Sequence, residues 1–88
     1  MTFNELKFRP HKIFCGTIAK YEFPNGYGVS VVESDFTYND KGTYEVGITH
    51  NGNLTYRTPI TKDVLGFQTP EDINKLLDTI EKWSPNQY

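Results

Sequence analysis

A chain of 88 residues makes one domain with a modest core, and six Tyr, six Phe and one Trp supply large side chains to fill it. Nine basic against 11 acidic residues, net charge −2, exclude a generic phosphate-backbone binder, which draws on clustered positive charge, and are too mild for a nucleic-acid mimic. The single cysteine, Cys15, excludes an internal disulfide, no apolar run approaches the roughly 20 residues of a membrane span, and MTFNELKFRPHK lacks a signal peptide's apolar stretch, so a cytoplasmic protein with no membrane partner is expected.

Residues 1–15 give mixed signals. Leu6-Lys7-Phe8 suits a short edge strand that Pro10 interrupts, and Ile13, Phe14 and Cys15 form an apolar cluster before Gly16. From there the pattern sharpens. Ala19, Tyr21 and Phe23 alternate with Lys20 and Glu22; after Pro24-Asn25-Gly26, Tyr27, Val29 and Val31 alternate with Gly28, Ser30 and Val32. A period of two on either side of strong turn chemistry predicts a hairpin with strands over 17–23 and 27–34. DFTYNDKG is then a loop, followed by a third strand over 43–49 with Tyr44, Val46 and Ile48 on one face. A second Asn-Gly pair, Asn51-Gly52, turns the chain into a fourth strand over 54–57, with Leu54 and Tyr56 continuing the apolar face. Thr61 suits the cap of a single turn over 62–65 that Gly66 stops.

The last element is a helix. Thr69 is a good N-cap, Pro70 fits the first helical position, and Glu71 and Asp72 complement the positive end of the helix dipole. Ile73, Leu76, Leu77, Ile80 and Trp83 then recur at three- and four-residue spacing, and Ser84-Pro85 stops the pattern. A sheet with one apolar face and a helix with one apolar stripe satisfy each other. The expected fold is α+β: a four-stranded antiparallel meander with one C-terminal helix packed on one face, in two layers. Helical Ile73, Leu76, Leu77, Ile80 and Trp83 are expected against Tyr21, Phe23, Val29, Val31, Tyr44, Val46, Ile48 and Tyr56.

Taken together, FPNGYGVSVV (23–32), GTYEVGI (42–48) and NGNLTYRTPITKDVLGFQTPEDI (51–73) resemble a family of small, uncharacterised proteins of tailed bacteriophages. In that family an NGYG turn precedes a strand, and a later strand leads through TYxTPIT and a DV(L/I)G turn into an acidic-capped helix. The resemblance implies a phage origin and no particular reaction.

Chemical constellations are sparse. His11 and Cys15 lie four apart, about 13 Å along an extended segment, and lack the third group that orients a thiol–imidazole pair. His11, Cys15 and His50 show no CxxC or HxxxH spacing, so neither a metal nor any other cofactor is expected. The glycines of NGYG precede a strand, without the helix N-terminus a phosphate loop needs. Glu22 and Glu45 fall by parity on the face opposite the core, and Glu33 on the core face at a strand end. Catalytic residues are therefore not expected. The 35–40 loop stands out: Phe36 and Tyr38 between Asp35 and Asp40 are anchors of the sort protein interfaces use. The polar sheet face, Ile18, Lys20, Ser30, Val32, Glu45, Thr49, Thr55 and Arg57, is the second candidate contact surface. The leading expectation is a non-enzymatic accessory protein that binds a protein, a host or defence factor, with a homodimer as a further option and nucleic acid disfavoured. The alternative is a small-ligand or nucleotide binder using Lys7, Arg9, Lys12 and Arg57.

Overall fold

The structure, a computed structural model, describes residues 2–10, 16–34, 43–60 and 64–88. A 3-10 turn at Phe3–Glu5 precedes β1 (Arg9–Pro10), β2 (Gly16–Glu22), β3 (Tyr27–Ser34), β4 (Tyr44–His50), β5 (Asn53–Leu54), β6 (Leu65–Gln68) and a C-terminal helix, α1 (Pro70–Glu81). The strands form one antiparallel sheet in the order β1-β2-β3-β4-β5. β5 pairs with β4 at its Thr49–His50 end, and β6 pairs with it at its Tyr44–Val46 end.

Two Asn-Gly turns set this frame. At the first, the Gly26 N–H donates to the Phe23 carbonyl (2.9 Å), and Gly26 takes a φ of +89°, which glycine adopts without a Cβ penalty. The Phe23 N–H then donates to the Tyr27 carbonyl, and the ladder runs on with Tyr21 opposite Val29 and Ala19 opposite Val31. At the second, Asn51 and Gly52 both have positive φ (54° and 86°), as a two-residue type I′ hairpin requires. The two turns touch, the Asn51 N–H donating to the Gly26 carbonyl at 2.8 Å.

Helix α1 begins as its sequence dictates. The Asp72 N–H donates to the Thr69 hydroxyl and the Thr69 N–H to the Asp72 carboxylate, so two donors orphaned at the helix start are satisfied reciprocally. Ile73, Leu77 and Ile80 are fully buried in one cluster with Val29, Val31, Val46 and Ile48. Each such side chain contributes about 1.5–3 kcal/mol, set against the entropy of ordering it. Past the helix, Trp83 is buried (8% exposed) and meets Tyr27 edge to face at 5.1 Å. Tyr27 also stacks on His50, and its hydroxyl accepts from the Tyr88 N–H while donating to the Tyr88 carbonyl.

Asn25 joins turn to helix. Its side-chain amide donates to the Ile80 and Trp83 carbonyls, both at 2.9 Å, and its Oδ1 accepts from the Tyr27 N–H. The Trp83 carbonyl, and the Ile80 carbonyl that also accepts from the Trp83 N–H, thus find partners in the hairpin. At the other end of the helix, the Phe3 N–H donates to Asn74 Oδ1 (2.7 Å), and Phe3, Phe8 and Tyr44 form a triangle of tilted rings.

The two-layer α+β arrangement is as expected, and the four-stranded meander is present as β2 to β5. The sheet, however, has six strands among the described residues. Residues 6–8 are not a strand: Leu6 turns inward to the core and Phe8 packs on Phe3 and Tyr44, so edge pairing begins only at Arg9. Leu65–Gln68 is a strand on β4 rather than the end of a helical turn, and residues 61–63 lie outside the described part. The strand after the second hairpin stops at Leu54. Tyr21 and Tyr56, expected in the core, are 37% and 47% exposed; Tyr21 lies on β2 beyond the stretch that β1 pairs with, and Tyr56 lies beyond the paired segment. The Ile13-Phe14-Cys15 cluster lies outside the described residues.

Candidate functional site

Asp35, Phe36, Tyr38 and Asp40 all lie outside the described residues, as do Lys12 and His11. What the structure does build is a continuous surface on the side of the sheet away from α1 that no described element covers.

Register dictates its composition. Ile18 pairs with Val32 and Val32 with Glu45; Lys20 pairs with Ser30 and Ser30 with Gly47, so these side chains share the outward face. Ile18, Lys20, Ser30, Val32, Glu45 and Thr49 line one shallow depression together with Gly47, Leu54 and Val64. Leu54 belongs here rather than on the core face. The I′ hairpin pairs it with Thr49, which gives it the outward parity of Thr49. Its position explains Gly47: a Cβ there would come 2.6 Å from Leu54 Cδ2 and 3.6 Å from Val64 Cγ1. Leu54 itself remains 51% exposed, an apolar rim beside a floor of small residues.

The depression continues through Ile18 and Lys20 over the edge of the sheet into a second groove, lined also by Glu5, Leu6, Lys7, Arg9 and Tyr21. Two of the four cations of the alternative ligand patch, Lys7 and Arg9, therefore come together, with Lys20 as a third. Arg57 does not join them. It follows β5, while β1 lies at the other end of the strand order, four strand spacings or about 19 Å away. Lys20 and the exposed Tyr21 are contributions that a patch built from residues 7–12 and 57 missed. The signal for Lys20 was its outward parity on the strand.

Among the described residues no group of three or more His, Cys, Asp or Glu side chains could hold a metal ion. The Nε2 of His50 and the Oγ1 of Thr58 are buried and have no hydrogen-bond partner among the described residues. Burial, together with the nearby Glu33 carboxylate, raises the Tyr44 hydroxyl above its ordinary pKa; Glu33 thus lies near the core-side ring cluster, as its parity predicts. No described helix is long and apolar enough to cross a membrane. Compared with protein-family models, with curated proteins and with solved structures, the chain matches none.

Proposed function

We propose that this chain is a non-enzymatic, phage-type accessory module that acts by holding another protein against the open side of its sheet. One observation carries the reading: α1 covers one face, and no described element covers the other, a depression that includes the small residues Ser30, Gly47 and Thr49, rimmed by half-exposed Leu54 and continuous with the β2 edge. Small residues let a partner approach the sheet closely, and an exposed apolar rim gains by being covered. The resemblance of residues 23–32, 42–48 and 51–73 to small tailed-phage proteins supports a host or defence factor as the partner class. The cytoplasm of the infected cell is the matching compartment.

The test places a photo-crosslinking residue at Ser30 or Leu54 and, as a control, at the exposed Lys75 of the helix. Crosslinks to one host protein from the sheet positions only, abolished by Ser30→Arg with the fold intact, are the expected result. Equal yields from Lys75, or capture unaffected by Ser30→Arg, would move the contact elsewhere. A second reading, a small anionic ligand such as a nucleotide, is favoured by one observation: Lys7, Arg9 and Lys20 line a single groove.

A further inference from the structure

The edge of β2 is only partly covered. β1 pairs Arg9 with Ile18 and Pro10 with Thr17, and no described strand continues along β2 beyond Ile18. Proline has no N–H, so the pair that exchanges hydrogen bonds is Arg9–Ile18. Alternation then aims the N–H and C=O groups of Ile18, Lys20 and Glu22 outward from the sheet. Those of Tyr21 face β3, consistent with the Phe23 N–H donating to the Tyr27 carbonyl on that side. Leu6 and Phe8 draw the preceding chain inward to the core, and a groove opens where a longer β1 would have run. Lys20 and Glu22 thus present a short row of main-chain donors and acceptors with no partner among the described residues, at the groove that holds Lys7 and Arg9.

We infer that this edge takes an extended, acidic peptide segment of a protein partner as an added strand, in line with β1. The inference rests on the protein-binding reading above and names its mode and chemistry. Main-chain pairing to Lys20 and Glu22 supplies the register. A residue opposite Lys20 shares its outward face, where Lys20, Arg9 and Lys7 outnumber Glu5 and Glu22 and favour a carboxylate. A residue opposite Tyr21 points the other way and covers a ring that is 37% exposed. The free stretch, from the end of the Arg9–Ile18 pairing to the turn at Phe23, suits a short segment. The β2 of a second copy offers only the same short stretch, Lys20 to Glu22, because β1 covers its Ile18 as well.

The experiment titrates the 15N-labelled full chain with a short end-capped peptide of alternating Glu and Val, with its Lys-for-Glu counterpart, and with ATP. Saturable shifts and slowed hydrogen exchange at the Lys20 and Glu22 amides, with the acidic peptide alone, are expected. The double variant Arg9→Glu, Lys20→Glu should bind it at least about tenfold more weakly. Glu22→Pro is the deciding variant: it removes an outward N–H that an edge strand can spare, and it leaves the cations in place. Strand addition predicts that Glu22→Pro loses binding, whereas simple charge attraction predicts that losing a carboxylate tightens it. Binding retained or tightened in Glu22→Pro overturns the inference, as does equal binding of the lysine peptide. ATP binding without amide protection overturns it in favour of a small anion. Protection that grows with protein concentration in the absence of peptide overturns it in favour of a second copy. Shifts confined to Ser30, Gly47 and Leu54 overturn the edge while leaving the protein-binding reading standing.

Discussion

Removing the Asn25 side chain tests whether hairpin and helix are held as one unit. Asn25→Ala deletes two donors to the Ile80 and Trp83 carbonyls and one acceptor for the Tyr27 N–H. At about 1 kcal/mol net per bond the loss is about 3 kcal/mol, and water reaching the part-buried carbonyls returns some of it, leaving about 2 kcal/mol. For a domain of this size that lowers Tm by roughly 10 °C and the urea midpoint by about 2 M, with Trp83 fluorescence as the reporter. Asn25→Asp sharpens the test. It keeps the oxygen facing the Tyr27 N–H and sets a second oxygen against two carbonyls at the negative end of α1. Ionisation is then disfavoured in the folded state, so the folded pKa of the new carboxyl rises above its unfolded value. Stability is retained below the unfolded pKa and lost as pH climbs through the folded one. At neutral pH Asn25→Asp should therefore be less stable than Asn25→Ala, with the gap closing below about pH 4. An Asn25→Ala protein within about 0.5 kcal/mol of the parent, or an Asn25→Asp protein no worse than Asn25→Ala at pH 7, would refute this reasoning.

Gly28→Ala should abolish folding, because its Cβ would collide with the Tyr21 carbonyl oxygen and the Glu22 Cα, backbone that cannot yield without parting β2 from β3. Gly52→Ala meets nothing but occupies φ +86°, so it should cost only about 1–2 kcal/mol. Circular dichroism melts rank the two variants, and the reverse order would contradict the register. The Asp72 carboxyl is held below its ordinary pKa by the Thr69 N–H, then by the Thr69 hydroxyl and by Lys75. A depressed folded pKa gives stability that is present above the unfolded value and lost as pH falls through the folded one. The fall of Tm below about pH 4 should therefore be shallower in Asp72→Ala than in the parent, and parallel curves would show that the cap carries no such linkage.

The hairpin, β4 and α1 are readable from sequence because each combines a strict period with turn or cap chemistry that agrees with it. β6 is not. Leu65-Gly66-Phe67-Gln68 has no alternation, its pairing with β4 shifts register between Tyr44 and Val46, and Phe67 sits at φ +56° with its ring exposed. β1 is two residues long, too short for any period. Leu54 is different in kind. Apolarity suggested the core face, yet a two-residue hairpin at Asn51-Gly52 fixes Leu54 opposite Thr49, and counting that register places it outward. Most of the outer face was likewise legible by parity: Ile18, Lys20, Ser30, Val32, Glu45 and Thr49 line one depression, whereas Thr55 and Arg57, expected on the same face, follow β5 and do not line it. The edge groove depends on where Leu6 and Phe8 leave the sheet, a tertiary choice made by the core, and local pattern does not encode it.

The two Asn-Gly turns also give the protein two unequal chemical clocks. An asparagine followed by glycine deamidates when the glycine nitrogen attacks the side-chain carbonyl carbon, a step that needs a free side chain and a backbone able to bend. Asn25 has neither freedom: its amide is held at both atoms, and the Gly26 N–H is committed to Phe23. Asn51 is exposed and turns on the same dipeptide, and among the described residues its side chain has no hydrogen bonds like those that hold Asn25. Ageing of the folded chain should thus begin at Asn51, adding a negative charge beside the outer sheet face. Loss of Asn25 would follow only through unfolding, and the carboxylate it left behind would hinder the chain from folding again.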